Sequence, residues 1–169
     1  MSNKKLCIIG QGRHGKDTVA EILRDQFGYS FLSSSEASAK IFLFDLLKGE
    51  FGYNTWQECF EDRHNHRDRW FTEISKYNTP NKSRLAKAIM EENDIYVGMR
   101  CKDELAACME DGVFDSVIWV DASERVSYRE PESSCTVTKE QADLVIDNNG
   151  IELELYSCVS AVNKYYLGA

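Results

Sequence analysis

The order of patterns along the chain predicts an α/β fold of three layers, with a five-stranded parallel sheet covered by helices on both faces. Three observations carry that expectation. Five short apolar runs alternate with stretches of helical period, the arrangement that crossover helices impose on a parallel sheet. The first run passes through a glycine-rich turn directly into a helix. A chain of 169 residues, 43% hydrophobic and 28% charged, can also bury one substantial core without disulfides or a structural metal.

Leu6 to Gly10 (LCIIG) is the first buried-strand pattern, and GQGRHGKDT, Gly10 to Thr18, follows it. The next stretch puts Val19, Ile22, Leu23 and Phe27 on one helical face. Strand, glycine-rich turn and helix in that order make a phosphate-binding loop. Gly10, Gly12 and Gly15, with Arg13 and His14 among them, let anion oxygens lie against backbone N–H groups. The helix that begins near Lys16 adds unpaired N–H groups and the positive end of its dipole. Lys16 itself supplies a mobile positive charge for β- and γ-phosphates. A turn that binds nothing would leave a lysine at the mouth of the helix unexplained. The match to GxxxxGK[ST] departs at one place: Asp17 stands where a magnesium-binding hydroxyl is usual, and Thr18 follows one residue late.

Gly28 to Leu32 reads as the second strand, and Ser33-Ser-Ser-Glu caps a helix with apolar positions Ile41, Leu43, Phe44, Leu46 and Leu47. Thr55-Trp-Gln-Glu opens a short helix with a capping-box signature. The densest polar cluster is Asp62 to Trp70, DRHNHRDRW. A continuous helix there places Arg63 and Arg67 one turn apart, and likewise Asn65 and Arg69, with Trp70 and Ile74 on the apolar side. Three arginines and two histidines within seven residues of an acidic protein predict an anion site, because guanidinium forks match phosphate geometry. The competing reading is a solvated helix face with local Asp and Arg pairs.

Asn78 to Lys82 is a turn, Arg84 to Glu92 a helix with Leu85, Ile89 and Met90 inward, and Asp94 to Gly98 a strand that leads into Met99-Arg100. A helix over Lys102 to Met109 precedes the cleanest buried strand, Ser116 to Asp121. Ligands gather at the carboxyl ends of strands in open sheets, so Arg100 and Asp121 are expected to face the crevice of the phosphate loop. Arg125 to Ser134 (RVSYREPESS) lacks an apolar period and reads as a mobile loop. It is either an exposed linker or a lid whose Arg125 and Arg129 close over phosphates and expel water. Thr138 to Ala142 is one helical turn, Leu144 to Ile146 the last strand, and Ile151 to Tyr166 a closing helix. With no repeat and no second boundary, residues 1–169 read as one domain with a helical insertion over 33–92 and a lid-like loop over 123–137.

The net charge of −8 argues against broad, nonspecific attraction to nucleic acid, which is driven by a basic face. No apolar stretch approaches the roughly 20 residues that span a bilayer, and the start of the chain lacks a signal-peptide layout. A cytoplasmic protein with no membrane partner is expected. Six cysteines, Cys7, Cys59, Cys101, Cys108, Cys135 and Cys158, are scattered without a CxxC pair or zinc-spaced histidines. They read as reduced thiols, several of them buried.

The order of parts resembles the nucleoside monophosphate kinase branch of the P-loop NTPases. Within that branch GKDT, together with a strand followed by Arg100 and then Glu104, is similar to the phage-type deoxynucleoside monophosphate kinases. The resemblance implies transfer of the γ-phosphoryl of ATP to a (deoxy)nucleoside monophosphate with Mg2+, by positioning and charge neutralisation. Lys16 and the loop amides would hold ATP, Asp17 or Thr18 would support the metal, and Arg100 would contact the acceptor or the transferred phosphate. Arg125 and Arg129 would act from the lid. Ser33, Ser34 and Glu36, after the second strand, would join Arg63, His64, His66, Arg67 and Arg69 around the acceptor. Such kinases often carry an acidic residue before the arginine at the end of the central strand. Gly98-Met99 stands there instead, which leaves Asp17 and Asp121 as the metal carboxylates.

Two other readings keep the donor half. Some phage kinases similar to thymidylate kinases phosphorylate the 5-hydroxymethyl group of deoxyuridine in DNA. Modified DNA would then be the substrate, and an alcohol acceptor needs a general base, with Asp17, His64 and Glu36 as candidates. The other is a non-catalytic nucleotide switch, a class that usually shows a metal-binding aspartate and a base-reading motif, neither of which is found. A homodimer is left open.

Overall fold

The computed structural model describes residues 2–168, and its single sheet has five parallel strands in the order β2-β3-β1-β4-β5. The central strand β1 (Leu6–Ile9) lies between β3 (Ile95–Val97) and β4 (Ser116–Asp121), with β2 (Phe31–Ser33) and β5 (Leu144–Asp147) at the edges. Ile8 is level with Val97 on one side and Ile118 on the other. The three-layer α/β architecture expected from the alternation of patterns is the one observed. Every residue of β1 is fully buried, because a strand covered on both faces has no polar side to present.

One face of the sheet carries Cys7, Ile9, Tyr96, Val117 and Trp119, packed against Ala86 and Ile89 of α6 (Arg84–Met90) and Leu105 of α7 (Lys102–Glu110). The other carries Leu6, Ile8, Ile118 and Val120 against Val19 and Leu23 of α1 (Lys16–Phe27) and Leu155 and Val159 of α8 (Glu152–Tyr165). All strands run the same way, so all five carboxyl ends fall on one rim, where the loops that could meet a ligand converge.

The second strand lies later than the sequence pattern suggests. Gly28 closes α1 in the left-handed conformation, φ 74°, donating to Arg24 O, and the Tyr29 N–H still bonds Leu23 O. The chain is therefore leaving the helix until residue 29, and β2 begins only at Phe31.

Between β2 and α6 the chain is built of short pieces: α2 (Ser34–Ser38), a π turn (Ala39–Leu43), α3 (Phe44–Phe51), α4 (Trp56–Glu61), a 3-10 turn (Asp62–Asn65) and α5 (Arg67–Tyr77). The π turn inserts an extra residue, so a 3.6 period does not carry through it. Leu43 and Leu47 are buried with Cys59 and Trp70, whereas Leu46 is 49% exposed. The Thr55 side chain caps α4 through the Glu58 N–H, but the Glu58 carboxylate reaches the Asn54 N–H, one residue before the reciprocal position of a capping box. The helix expected through Asp62 to Trp70 is broken at His66, whose φ of −134° and ψ of 35° lie outside the helical region.

Candidate active site

The phosphate loop connects β1 to α1 and is held by close backbone approaches. Gly10 has φ 154° and Gly15 φ 94°. A Cβ on Gly10 would lie 2.7 Å from Val120 O, and one on Gly15 would lie 2.5 Å from Asn148 Nδ2. The glycines here thus permit contact with β4 and with the turn after β5. Arg13 adopts φ 66° without being glycine, and its guanidinium stands over the Tyr128 ring, 5.1 Å from the centroid.

His14 lies in the loop, but its side chain does not face a phosphate. It is 2% exposed, its Nδ1 accepts the Ala122 N–H at 3.0 Å, and its carbonyl accepts from Asn148 Nδ2 at 2.9 Å. Burial holds its pKa below the ordinary histidine value, with Asp121 opposing. With Nδ1 accepting, the ring proton sits on Nε2, which is buried and unpartnered. The imidazole is a strut between loop and sheet, a correction to its expected place among the phosphate contacts.

Lys16 folds back over the loop, its Nζ donating to Gly10 O at 3.0 Å and Gln11 O at 2.9 Å. Desolvation lowers its pKa, opposed first by the carboxylate of Glu130. Asp17 is exposed and Thr18 half-buried in the first turn of α1.

A cavity of about 980 Å³ opens beside the loop. Its wall includes Gly12, Arg13, Lys16 and Asp17, then Ser33, Ser34 and Glu36, then Arg63, His64 and Arg67, with Arg100 and the rings of Phe31, Phe60, Trp70 and Phe71. The basic cluster is therefore split. Arg63 donates to Phe60 O at 2.9 Å and covers the Phe60 ring, while Arg67 Nη2 lies 3.4 Å from His64 Nδ1. His66 turns away: its Nε2 is 2.9 Å from Asp62 Oδ2, which also accepts the Tyr53 hydroxyl, and its ring packs on Phe51. Arg69 is tied to Glu73 at 3.0 Å and Glu50 at 2.9 Å. Within α5, Arg67 and Arg69 are two residues and so about 200° apart, which puts them on opposite sides of the helix, while the break at His66 lets that ring meet Asp62 and Phe51. The expected acceptor set loses His66 and Arg69 on geometric grounds.

Ser33 and Glu36 are on the wall, but they cap α2 reciprocally: Ser33 Oγ accepts the Glu36 N–H, and Glu36 Oε2 accepts the Ser33 N–H. Much of their hydrogen-bonding capacity is already used.

At the strand ends, Arg100 follows β3 and joins the cavity wall. Asp121 does not share that crevice: its Oδ1 accepts the Ser123 N–H at 3.0 Å and its Oδ2 lies 3.5 Å from Asn149 Nδ2, in the turns beyond β4 and β5. Glu104 also lies off the wall, where burial raises its pKa. Neither lid arginine reaches the cavity. Arg125 Nε donates to Asn148 O at 2.6 Å, and Arg129 is exposed off the wall.

The segment after β4 is nonetheless stitched to the site. The Glu130 N–H donates to Gln11 Oε1 at 2.8 Å, Tyr128 covers Arg13, and the Thr136 N–H bonds Arg100 O at 2.8 Å. Glu130 is the residue that sequence reasoning missed. Its side chain is 6% exposed and its Oε1 is 2.8 Å from Arg100 Nη1. A carboxylate beside a proline in a loop without periodicity carries no local signal of a partner thirty residues away.

Among the described residues no three His, Cys, Asp or Glu side chains converge as a metal site, all six cysteines are free, and no helix is long and apolar enough to cross a membrane.

A parallel sheet in this order, with a glycine-rich loop after the central strand and a lysine at the mouth of the next helix, defines the P-loop NTPase fold in the form found in small kinases. No protein-family model and no curated protein sequence matches the chain. Solved structures do. TT1252 from Thermus thermophilus shares 19% identity at a TM-score of 0.52, over 99% of this chain and 100% of that one. Shikimate kinase from Bacteroides thetaiotaomicron shares 9% at 0.53, over 96% and 98%, and shikimate kinase from Aquifex aeolicus 12% at 0.50, over 95% and 98%. The likeness is one of fold and runs the length of the chain.

Proposed function

We propose that the chain is an ATP- and Mg2+-dependent kinase that transfers the γ-phosphoryl group to a (deoxy)nucleoside monophosphate, as in phage-type nucleotide metabolism. One observation carries this reading: a single cavity joins the lysine-bearing phosphate loop to a second cationic group, Arg63, His64 and Arg67, and an aromatic wall. A cavity of that size suits a small organic acceptor, the cations suit its phosphate, and Phe31, Trp70 and Phe71 suit a flat base. That two solved structures of this fold are shikimate kinases supports a kinase reading.

In this reading the loop amides, the α1 N-terminus and Lys16 hold the donor phosphates, and Arg100 neutralises charge on the group in transfer. An acceptor phosphate is already ionised, so its oxygen needs no general base. That suits a site in which Glu36 is engaged in a helix cap. Magnesium keeps several waters and takes most other ligands from phosphates, so one or two protein oxygens suffice. The exposed Asp17 carboxylate on the cavity wall fits that demand, with Thr18 following it in the first turn of α1, and Asp121 does not. When bound, the ion would neutralise phosphate charge.

A second reading, phosphorylation of 5-hydroxymethyl-deoxyuridine in DNA, is favoured by one observation: Asp17, His64 and Glu36, the side chains able to take a proton from an alcohol, all line the same cavity. γ-Labelled ATP offered to a panel of monophosphates and to hydroxymethyluracil-containing DNA decides. Labelled diphosphate is the expected product. Label on DNA with no diphosphate transfers the assignment to the second reading, and hydrolysis without acceptor-dependent turnover removes both.

A further inference from the structure

Glu130 is an odd component for a site that binds anions. Its side chain is almost wholly buried, one oxygen meets Arg100 Nη1 at 2.8 Å, and the other has no partner. Its Oε1 would lie 3.5 Å from a Cβ on Gly12, so the carboxylate is packed against the phosphate loop itself. Arg100, its partner, is 59% exposed and would be hydrated without it. The ionised groups acting on Lys16 are Arg100, Glu130 and Asp17. The two carboxylates offset the charges of Lys16 and Arg100, which leaves Arg13, over Tyr128, as the excess cation of the loop. The segment that brings Glu130 in is held by the phosphate loop, through Gln11 to the Glu130 N–H and Arg13 to Tyr128.

We infer that Glu130 is a built-in competitor for the donor phosphates, seated on Arg100 and displaced only by a polyphosphate chain, so that it makes the loop selective for di- and triphosphates over a single phosphate. This rests on the proposed reading that the loop binds a phosphoryl donor. A single phosphate can engage the loop amides, but it must then lie beside an undisplaced carboxylate or release the Arg100 pair with little charge to replace it. A polyphosphate reaches the amides, Lys16 and Arg100 together, and the freed Glu130 carboxylate gains water for an oxygen that had no partner. Discrimination arises from a repulsive element, not from an added contact.

The test is calorimetric titration of the intact protein with inorganic tripolyphosphate, ATP and orthophosphate, comparing wild type, Glu130→Gln and Glu130→Asp. Glu130→Gln should bind tripolyphosphate about tenfold more tightly, the size of one removed charge repulsion near a protein surface, and gain more for orthophosphate than for ATP. Glu130→Asp keeps the charge and most of the volume, and should retain wild-type selectivity even if Glu130→Gln fails to fold. Unchanged or weaker tripolyphosphate binding by a folded Glu130→Gln, or a Glu130→Asp that loses selectivity, overturns the inference and leaves the kinase reading intact. If no variant and no wild type binds ATP or tripolyphosphate, the donor-site reading falls with it.

Discussion

The phosphate loop, Gly10 to Thr18, and the basic segment, Asp62 to Trp70, meet the same cavity by opposite means. The loop is specified by its backbone: its glycines stand where a Cβ would strike Val120 O or Asn148 Nδ2, and its histidine is buried as a strut. The basic segment is specified by side chains, each choosing a partner. Asp62 gathers Tyr53, Asn65 and His66, Glu50 and Glu73 take Arg69, and what remains, Arg63, His64 and Arg67, faces the cavity. A backbone-built site tolerates little and is recognisable from spacing. A site built from leftover charges depends on every neighbour that claims one.

The sharpest break in that comparison is Lys16→Ala. It should lower phosphoryl transfer by about 10² to 10³-fold, the loss seen when one electrostatic contact to a transition state is removed. The thermal midpoint should hold, because Lys16 bonds only to loop carbonyls; a midpoint that collapses with activity would make the lysine structural. Gly10→Ala should do the reverse. With Val120 O 2.7 Å from the new Cβ and φ at 154°, it should cost about 2 to 3 kcal/mol in denaturant unfolding, and a stable variant would show the loop to be less confined than its geometry.

On the acceptor side, Arg67→Ala should raise the apparent constant for the monophosphate by about one to two decades, as loss of a charged hydrogen bond does. Steady-state kinetics with ATP saturating would read it, and an unchanged constant would return Arg67 to the solvated face. A pH titration separates the regions differently. His14 has a lowered pKa through burial, so below the unfolded-state value near 6.5 the unfolded chain binds more protons than the native one, and stability falls as pH drops through that range. His14→Asn retains an acceptor for the Ala122 N–H and should flatten the loss of thermal midpoint between pH 6.5 and the folded-state value. An identical slope in wild type and variant would assign the loss to another group. The smallest effect is expected of Arg69→Ala, whose guanidinium is held at the surface by Glu50 and Glu73: the acceptor constant should move by less than about twofold. A change as large as that of Arg67 would mean the cluster acts as one unit after all.

The sheet, the order of its parts and the phosphate loop are legible in the amino-acid pattern, because those rest on local rules. Ser116–Asp121 was legible from its apolar run, α1 from its 3.6 period and the loop from glycine spacing, none of which needs a distant partner. Which charges serve the cavity follows from the folded arrangement alone. The π turn after Ser38 and the break at His66 interrupt helices that the periodicity draws as continuous, and Glu50 and Glu73 hold Arg69 away from the cavity that Arg67 lines. Asp121, expected at the crevice, is claimed by Ser123 and Asn149, and Arg125 by Asn148. Glu130 reaches Arg100 only because the chain after β4 folds back over the loop. A charged side chain goes where its desolvation is best compensated, and that depends on groups far along the chain that only folding brings near.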